Sequence, residues 1–304
     1  MTEPLSRRRR LMSLQEAASR VEDGMRIALG GLAVNQRPMA FVRELVRQGR
    51  RGLTVIGSLN SIETDMLVGA GCVAAVETSY VGLEEFGLAP NFRRAVQGGA
   101  VSVVDFSELL QFDRFRANQD GLTFALSTAL AGTDVVRHNG QVRELVCPFT
   151  GRRYQAVPPA NADVVVVHAS AADEYGNVLV PWRRLLPQNL DLVMTRGCDT
   201  VLVTVERIVS NAVVRRNPDL NQIPAFRTTG LVEAPWGAHP GAMQGYYDVD
   251  RSHFREYVEA SGSSEAFAAY LRRYVTGPGT EAGYLEEVGL ASLAALNAGI
   301  GDAW

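Results

Sequence analysis

Four groups of residues in this 304-residue chain have types and spacings suited to chemistry at a carbonyl or an anion. The first is Gly30-Gly31, which ends the apolar run "RIALGG" and is followed by "LAVNQRP". Glycine has no Cβ, so a ligand can come close to its backbone, and the N–H groups there can hold an anion or a developing oxyanion. The same pair also suits a tight turn with no ligand, and its spacing is not the G-x-G-x-x-G of a dinucleotide site. The second group is Ser58–Asn60, which follows the apolar run "LTVIG". The third is Glu108 in "VVDFSELLQF", three residues after Asp105. That spacing predicts both carboxyls on one helical face, with a buried Glu acting as a base or, alternatively, a first-turn acid steadied by the helix dipole. The fourth is His239 in "GAHPG", with Tyr246, Tyr247 and Asp248 close behind. It suits acid–base work, or else holding the loop or contacting a partner. His168 ends a run of valines and reads as a core histidine with its ring nitrogens satisfied. Cys72 and Cys147 read as small core hydrophobes.

Composition excludes several other chemistries. All 30 basic residues are arginine, so neither a lysine Schiff base nor a P-loop lysine can come from this chain. The net charge of −3 gives no whole-molecule field for nucleic acid. Cys72, Cys147 and Cys198 lie far apart, with no CxxC pair, which argues against a zinc site or a disulfide framework and fits a reducing compartment. The basic stretch "SRRRR" at residues 6–10 is followed by no apolar core of a secretory signal, and no apolar run is long enough to span a bilayer. The expectation is a cytoplasmic protein with no bound metal and a frayed basic tail over residues 1–12.

The elements that must position these groups are legible as well. Ser13 and Glu16 form a capping box that starts a helix ending at Gly24. Strands are expected at "RIALGG", "LTVIG" (53–57), "VAAVETS" (73–79), "VSVVDF" (101–106), "DVVVVHAS" (163–170), "DTVLVTVE" (199–206) and "LVEAP" (231–235). Helices fall between them: one starts with Pro38 at its first position and buries Phe41, Val42, Leu45 and Val46, and a short one covers 63–68. Nearly all-apolar strands alternating with helices describe an α/β fold, an open, mostly parallel sheet with helices on both faces. The Pro/Gly-rich stretches near 148–160 and 235–245 read as loops, and from Ser252 onward the chain reads as a helical C-terminal segment. Residues 13–304 are expected to form a single domain. In such sheets ligands sit beyond the carboxyl ends of strands, where Gly30-Gly31 and Ser58–Asn60 both lie.

Asp23-Gly24, two residues, three apolars, Gly30-Gly31, Leu32 and a short spacer to Pro38 resemble the N-terminal signature of family I CoA-transferase A (α) subunits. Leu32 stands where Phe is usual, and Gln36 where many members have Gly. "RELVRQGRRGLTVIG", "TDMLVGAG", "ADVVVVHASAADEYGNV" and "VEAPWGAHPGAMQGYYDVD" look like the glutaconate branch, so the resemblance spans most of residues 13–290. It implies a NagB/RpiA-like fold, a heteromer with a B subunit, and a CoA thioester as substrate with no tightly bound cofactor. The nucleophile it implies is a glutamate in a Ser-Glu-Asn-Gly-like motif on the B chain, a motif that this chain lacks. Gly30, Gly31 and Asn60 would then contact the thioester carbonyl, and Val34, Asn35, Gln36 and Arg37 would face the acyl group. Arg37 would pair with the free carboxylate of a diacid, or else sit exposed on the surface; His239 would belong to the same substrate-binding set. The resemblance also extends to a two-subunit hydrolase that opens the last steroid ring of a CoA thioester, where a Glu at the place of Glu108 does the chemistry. Transfer of CoA to a glutaconate-like acid is the leading expectation, with decarboxylation or C–C hydrolysis on the same scaffold as rivals. A non-catalytic scaffold and a nucleotide-dependent oxidoreductase are more distant ones.

Overall fold

A computed structural model of the chain describes residues 9–182 and 189–297. Seven strands run parallel: β1 (Arg26–Leu29), β2 (Leu53–Ile56), β3 (Val73–Thr78), β4 (Ser102–Asp105), β5 (Val164–Ala172), β6 (Val201–Ile208) and β7 (Gly230–Glu233). Their spatial order is β7-β6-β5-β1-β2-β3-β4. Two short antiparallel strands, Val178–Leu179 and Asn221–Ile223, extend the sheet beside the carboxyl end of β5. The chain lays down β1 to β4 in one direction, then returns to the other flank of β1 with β5. The order therefore reverses between β1 and β5, and in open sheets of this kind ligand crevices form beyond the carboxyl ends of the strands at such a point.

Alternation along the strands divides the core into two layers. Ile27, Leu29, Val164 and Val166 face one layer, formed by α2 (Met39–Arg47), α3 (Ile62–Gly69) and the C-terminal helices. Ala28, Val165 and Val167 face the other, which holds Phe115 of α5 (Glu108–Gln119) and Leu190 and Met194 of α6 (Asn189–Arg196). Both faces are covered, which is why the strands carry apolar residues at consecutive positions. The C-terminal helices α7 (Arg251–Ala260), α8 (Ser264–Leu271) and α9 (Glu281–Val288) are part of this core: Phe254, Tyr257, Phe267, Tyr270 and Tyr284 are buried among them. α5 is tied to the sheet by Arg114, whose Nη2 donates to Glu77 at 2.7 Å; Arg26 donates to the same carboxylate at 3.1 and 3.0 Å. Burial opposes ionisation of Glu77, but these two guanidinium groups outweigh it and lower its pKa.

The capping box is present: Glu16 N–H donates to Ser13 Oγ at 3.1 Å, and Ser13 N–H donates to Glu16 Oε2 at 2.8 Å. Three expectations are corrected. Residues 153–157, inside the stretch read as a loop, form a strand that pairs with 143–146 and 125–127 in a separate antiparallel sheet. Pro38 is the N-cap of α2, one position before the helix begins. Near the end of the basic tail the backbone is held in place: Arg10 N–H donates to the Glu174 carbonyl, and Met12 N–H to the Leu231 carbonyl, each at 2.9 Å. The first eight residues of that tail lie outside the described ones. Among the described residues no helix is long and apolar enough to cross a membrane.

Candidate active site

Gly31, Arg37, Ser58, Leu59 and Glu108 line a narrow crevice at the carboxyl ends of β1, β2 and β4. Phe112 of α5 and Leu190 and Met194 of α6 also line it. A second, equally narrow cavity lies across α6 and is lined by Gln36, His168, Asp191, Leu192 and Pro181, among others. Of the residues singled out in the sequence, Gly31, Arg37 and Glu108 meet in the first cavity and Gln36 lines the second. Gly30, Val34, Asn35 and Asn60 support the walls, and His239 lies in a different part of the fold.

The glycine pair does not offer free N–H groups, which corrects its expected role. Gly30 N–H donates to the Val166 carbonyl at 2.8 Å and continues the β1–β5 ladder. Gly31 N–H is shared between both carboxylate oxygens of Asp191, each at 3.0 Å. What the glycines supply is room. A Cβ on Gly30 would lie 3.0 Å from the Asp191 carboxyl, and Gly31 holds a left-handed φ of +96°.

Arg37 is not a surface residue; it is 2% exposed. Its Nε donates to the Ala33 carbonyl at 2.8 Å and lies 3.3 Å from Glu63 Oε2; Nη1 donates to the Gly30 carbonyl at 3.2 Å and Nη2 to the Leu59 carbonyl. Glu63 is itself fully buried, and its carboxylate accepts from Ser61 N–H at 2.8 and 3.0 Å. One guanidinium thus joins the ends of β1 and β2, and Arg37 also lines the crevice. Asn60 is likewise committed: its Nδ2 donates to Thr64 Oγ1, and its Oδ1 accepts from Thr78 Oγ1, each at 2.8 Å. Buried amides need such partners, and these hold Asn60 as a brace under the crevice floor.

Glu108 is the first residue of α5, capped by Ser107, whose Oγ accepts from Leu110 N–H at 3.3 Å. It is exposed at the crevice rim, not buried, and Asp105 ends β4 ahead of the cap, so the two carboxyls do not share a helix face. A first-turn acid at a helix N-terminus is stabilised by the dipole.

The loop from Leu32 to Arg37 is locked against residues 237–243. Gln36 N–H donates to the Ala242 carbonyl at 2.8 Å, and Ala242 N–H to the Val34 carbonyl at 3.1 Å. A Cβ on Gly241 would lie 2.3 Å from the Val34 carbonyl oxygen, so that glycine is what lets the loops touch. Gln36 Nε2 also reaches the His168 carbonyl at 3.4 Å. His168 is the satisfied core histidine expected from its setting: Nδ1 meets Thr204 Oγ1 and Nε2 meets Glu206 Oε1, both at 2.8 Å. Glu206 also accepts from the Tyr247 hydroxyl at 2.6 Å and from Trp236 N–H at 2.8 Å. Cys72 is buried as expected, but Cys147 is only partly so.

His239 is fully buried beside the C-terminal helices and does not reach the crevice, which corrects its place in the substrate-binding set. Its Nδ1 meets the Tyr284 hydroxyl at 2.6 Å and its Nε2 meets Asp250 Oδ2 at 3.2 Å. His253 Nε2 meets the Tyr270 hydroxyl at 2.7 Å, and the ligand-type atoms of His239, Asp250 and His253 lie within 4.8 Å of one another. The hydrogen bonds to tyrosine account for this grouping. Burial lowers the pKa of His239 more than Asp250 raises it; burial and the neighbouring His239 take His253 to about 3. Burial opposes ionisation of Asp250, but its bonds from His239 and the His253 N–H hold it at about 2.

The sign of the pH effect follows. Unfolded, both histidines titrate near 6.5. Folded, His253 stays neutral down to about pH 3 and the pKa of His239 is lowered too, so between about pH 6.5 and 3 the unfolded chain binds more protons. Stability is therefore complete above pH 6.5 and falls as the pH drops through that window, by at most about 1.4 kcal/mol per pH unit for each histidine. Asp250 adds a loss between about pH 4 and 2. Melting curves from pH 7 to 4.5 should show a steady fall in Tm, shallower in His253→Gln. Equal slopes in the two proteins would remove the histidine from the account.

Sequence reasoning missed Glu63, Asp191 and Glu206. Glu206 had a signal, a carboxylate closing the apolar run "VLVTV", where it must find a buried partner. Asp191 had none, because its partner Gly31 lies 160 residues away.

A parallel sheet whose order reverses at β1 and β5, with a crevice at the carboxyl ends of β1, β2 and β4, is an α/β architecture of the kind that holds small ligands beyond its strand ends. The family model for coenzyme A transferase matches residues 11–234, and the chain belongs to that family. It is 32% identical to the A subunit of 3-oxoadipate CoA-transferase from Pseudomonas knackmussii, over 88% of this chain and 94% of that one. With the A subunit of glutaconate CoA-transferase from Acidaminococcus fermentans it shares 30% identity over 93% of each chain. An uncharacterized protein of Archaeoglobus fulgidus is 34% identical over 91% of this chain, which spans 62% of that relative's length. Among solved structures, glutaconate CoA-transferase from A. fermentans superposes with a TM-score of 0.90 at 29% identity, covering 94% of this chain and 95% of that one. The decarboxylase AibA/AibB superposes with a TM-score of 0.77 at 29% identity, covering 87% and 98%.

Proposed function

We propose that this chain is the A subunit of a cytoplasmic two-subunit CoA-transferase that moves CoA between a short dicarboxylic acid and acetyl-CoA. The observation that carries this reading is the make-up of the crevice. Among the described residues that line it, Glu108 is the single carboxylate, and there is no cysteine or histidine. Such a lining can contact an acyl group, and the family resemblance implies that the glutamate forming the acyl and CoA intermediates comes from a B subunit. Glutaconate and 3-oxoadipate, for which two relatives are named, are both dicarboxylates. No tightly bound cofactor is required, because the thioester is itself the activated substrate.

The test is to co-express the chain with the gene product encoded beside it, incubate the pair with glutaconyl-CoA and acetate, and read the products by mass spectrometry. Acetyl-CoA with free diacid is the expected result. Release of carbon dioxide instead would favour the second reading, decarboxylation of a glutaconyl-type thioester, for which the resemblance to AibA/AibB speaks.

Glu108 separates transfer from hydrolysis. A positioned general base is worth about 10²–10⁴-fold in rate. In a transferase with its nucleophile on the B chain, Glu108→Gln should keep kcat within about tenfold of wild type. A loss of about a thousandfold would make Glu108 a base and move the reading to C–C bond hydrolysis.

A further inference from the structure

We propose that Gly30 and Gly31 build a seat for a carboxylate, that the Asp191 side chain occupies it in this structure, and that an incoming carboxylate must displace Asp191 to reach the Gly31 N–H. The identity of the incoming group, the carboxyl of an acyl substrate, rests on the proposed function; the seat itself does not.

The geometry of the seat is that of anion recognition. Gly31 N–H points between the two Asp191 oxygens, 3.0 Å from each, a charge-assisted bond shared across the carboxylate. The other wall is the open side of Gly30. A Cβ there would lie 3.0 Å from the Asp191 carboxyl carbon and Oδ1 and 2.9 Å from Val167 Cγ1, so a side chain at residue 30 would fill the space the carboxylate takes. Asp191 is 8% exposed, and a carboxylate so far out of water must be held by donors. It stands at a partition: Gly31 lines the crevice that contains Glu108, whereas Asp191 lines the neighbouring cavity with Gln36 and His168. Leu190 and Met194, on the same helix, wall the crevice. A displacement of α6 would therefore free the Gly31 N–H and reshape the wall of the crevice together. On this proposal the glycine pair is an anion-binding turn whose resident anion is the protein's own carboxylate.

The experiment is chemical rescue of Asp191→Ala, in the full chain together with its B subunit. Removing the carboxylate lowers Tm and leaves the seat open. Sodium formate, at ionic strength matched with chloride, should then raise the variant's Tm saturably by about 2 °C or more, while wild type does not respond. The same response in both proteins, or none in the variant, would overturn the proposal. If the alanine variant does not fold, Asp191→Asn replaces it, with the Gly31 amide proton shift as readout. A charged acceptor draws that proton downfield, so the shift should move upfield in Asp191→Asn; an unchanged shift would overturn the proposal as well. Neither readout involves turnover, so a negative result here leaves the transferase reading standing. A failed transferase assay likewise leaves the seat standing.

Discussion

Arg37→Ala is expected to lower the melting temperature of the chain by about 10 °C. The guanidinium is 2% exposed and its partner Glu63 fully buried, so the change leaves a carboxylate out of water without its cation. Breaking a buried pair in this way costs about 3–5 kcal/mol, and one kcal/mol moves Tm by roughly 2–4 °C in a chain of 150–250 residues. The carbonyls of Ala33, Gly30 and Leu59 lose their donor as well. Lysine should not restore the loss, because one ammonium cannot serve acceptors spread across a planar fork. Removing the charge on both sides, in Arg37→Met with Glu63→Gln, should recover part of the stability. Calorimetry on these three variants and the wild type decides it: an Arg37→Ala chain that melts within a degree of wild type would mean that the ion pair braces nothing.

The second large effect is expected for Gly31→Ala. The residue holds φ +96°, and its new Cβ would lie 2.7 Å from the Asn35 carbonyl oxygen and 2.9 Å from Arg37 Cδ. A left-handed non-glycine residue costs about 1–3 kcal/mol, and the backbone contact cannot relax by a simple rotamer change. Because Asn35 belongs to the locked loop beside the crevice, activity should fall by at least about a hundredfold, as a displacement of about 1 Å at a reacting site can do. Gly24→Ala is the control. It has φ +81° but nothing within 4 Å of the new Cβ, so it carries the conformational cost alone. Were the two variants equally active, the close approach at Gly31 would have no functional weight.

The parallel strands were legible because their signal is local. "RIALGG", "LTVIG" and "DVVVVHAS" are apolar at successive positions, as strands buried on both faces must be, and glycine or aspartate punctuates their ends. The strand at Arg153–Val157 was hidden by the reverse circumstance. It is half-buried, five residues long, and lies between Gly151 and Pro158, where turn residues dominate any window. The crevice was legible to the level of which residues meet: Gly31, Arg37 and Glu108 do. Which way their polar groups turn was not. Glu63 takes Arg37, Asp191 takes the Gly31 N–H, and Thr64 and Thr78 take Asn60. Each choice depends on a partner brought in by the fold, and a residue's type records its capacity to bond but not its partner.

β1 lies between β2, which begins at Leu53, and β5, which begins at Val164. On the ribosome, β1 to β4 and their helices emerge with one flank of β1 unsatisfied, and that flank stays open until β5 has been made, well over a hundred residues after β1. An open apolar edge of this kind is a template for pairing with another nascent copy, and long-range closure is slow. The two halves of the sheet thus become one only when β5 arrives beside the first strand synthesised. A chain truncated near residue 160 would carry the whole glycine loop, Arg37 and Glu108, yet have no second wall for its crevice and an adhesive edge in its place.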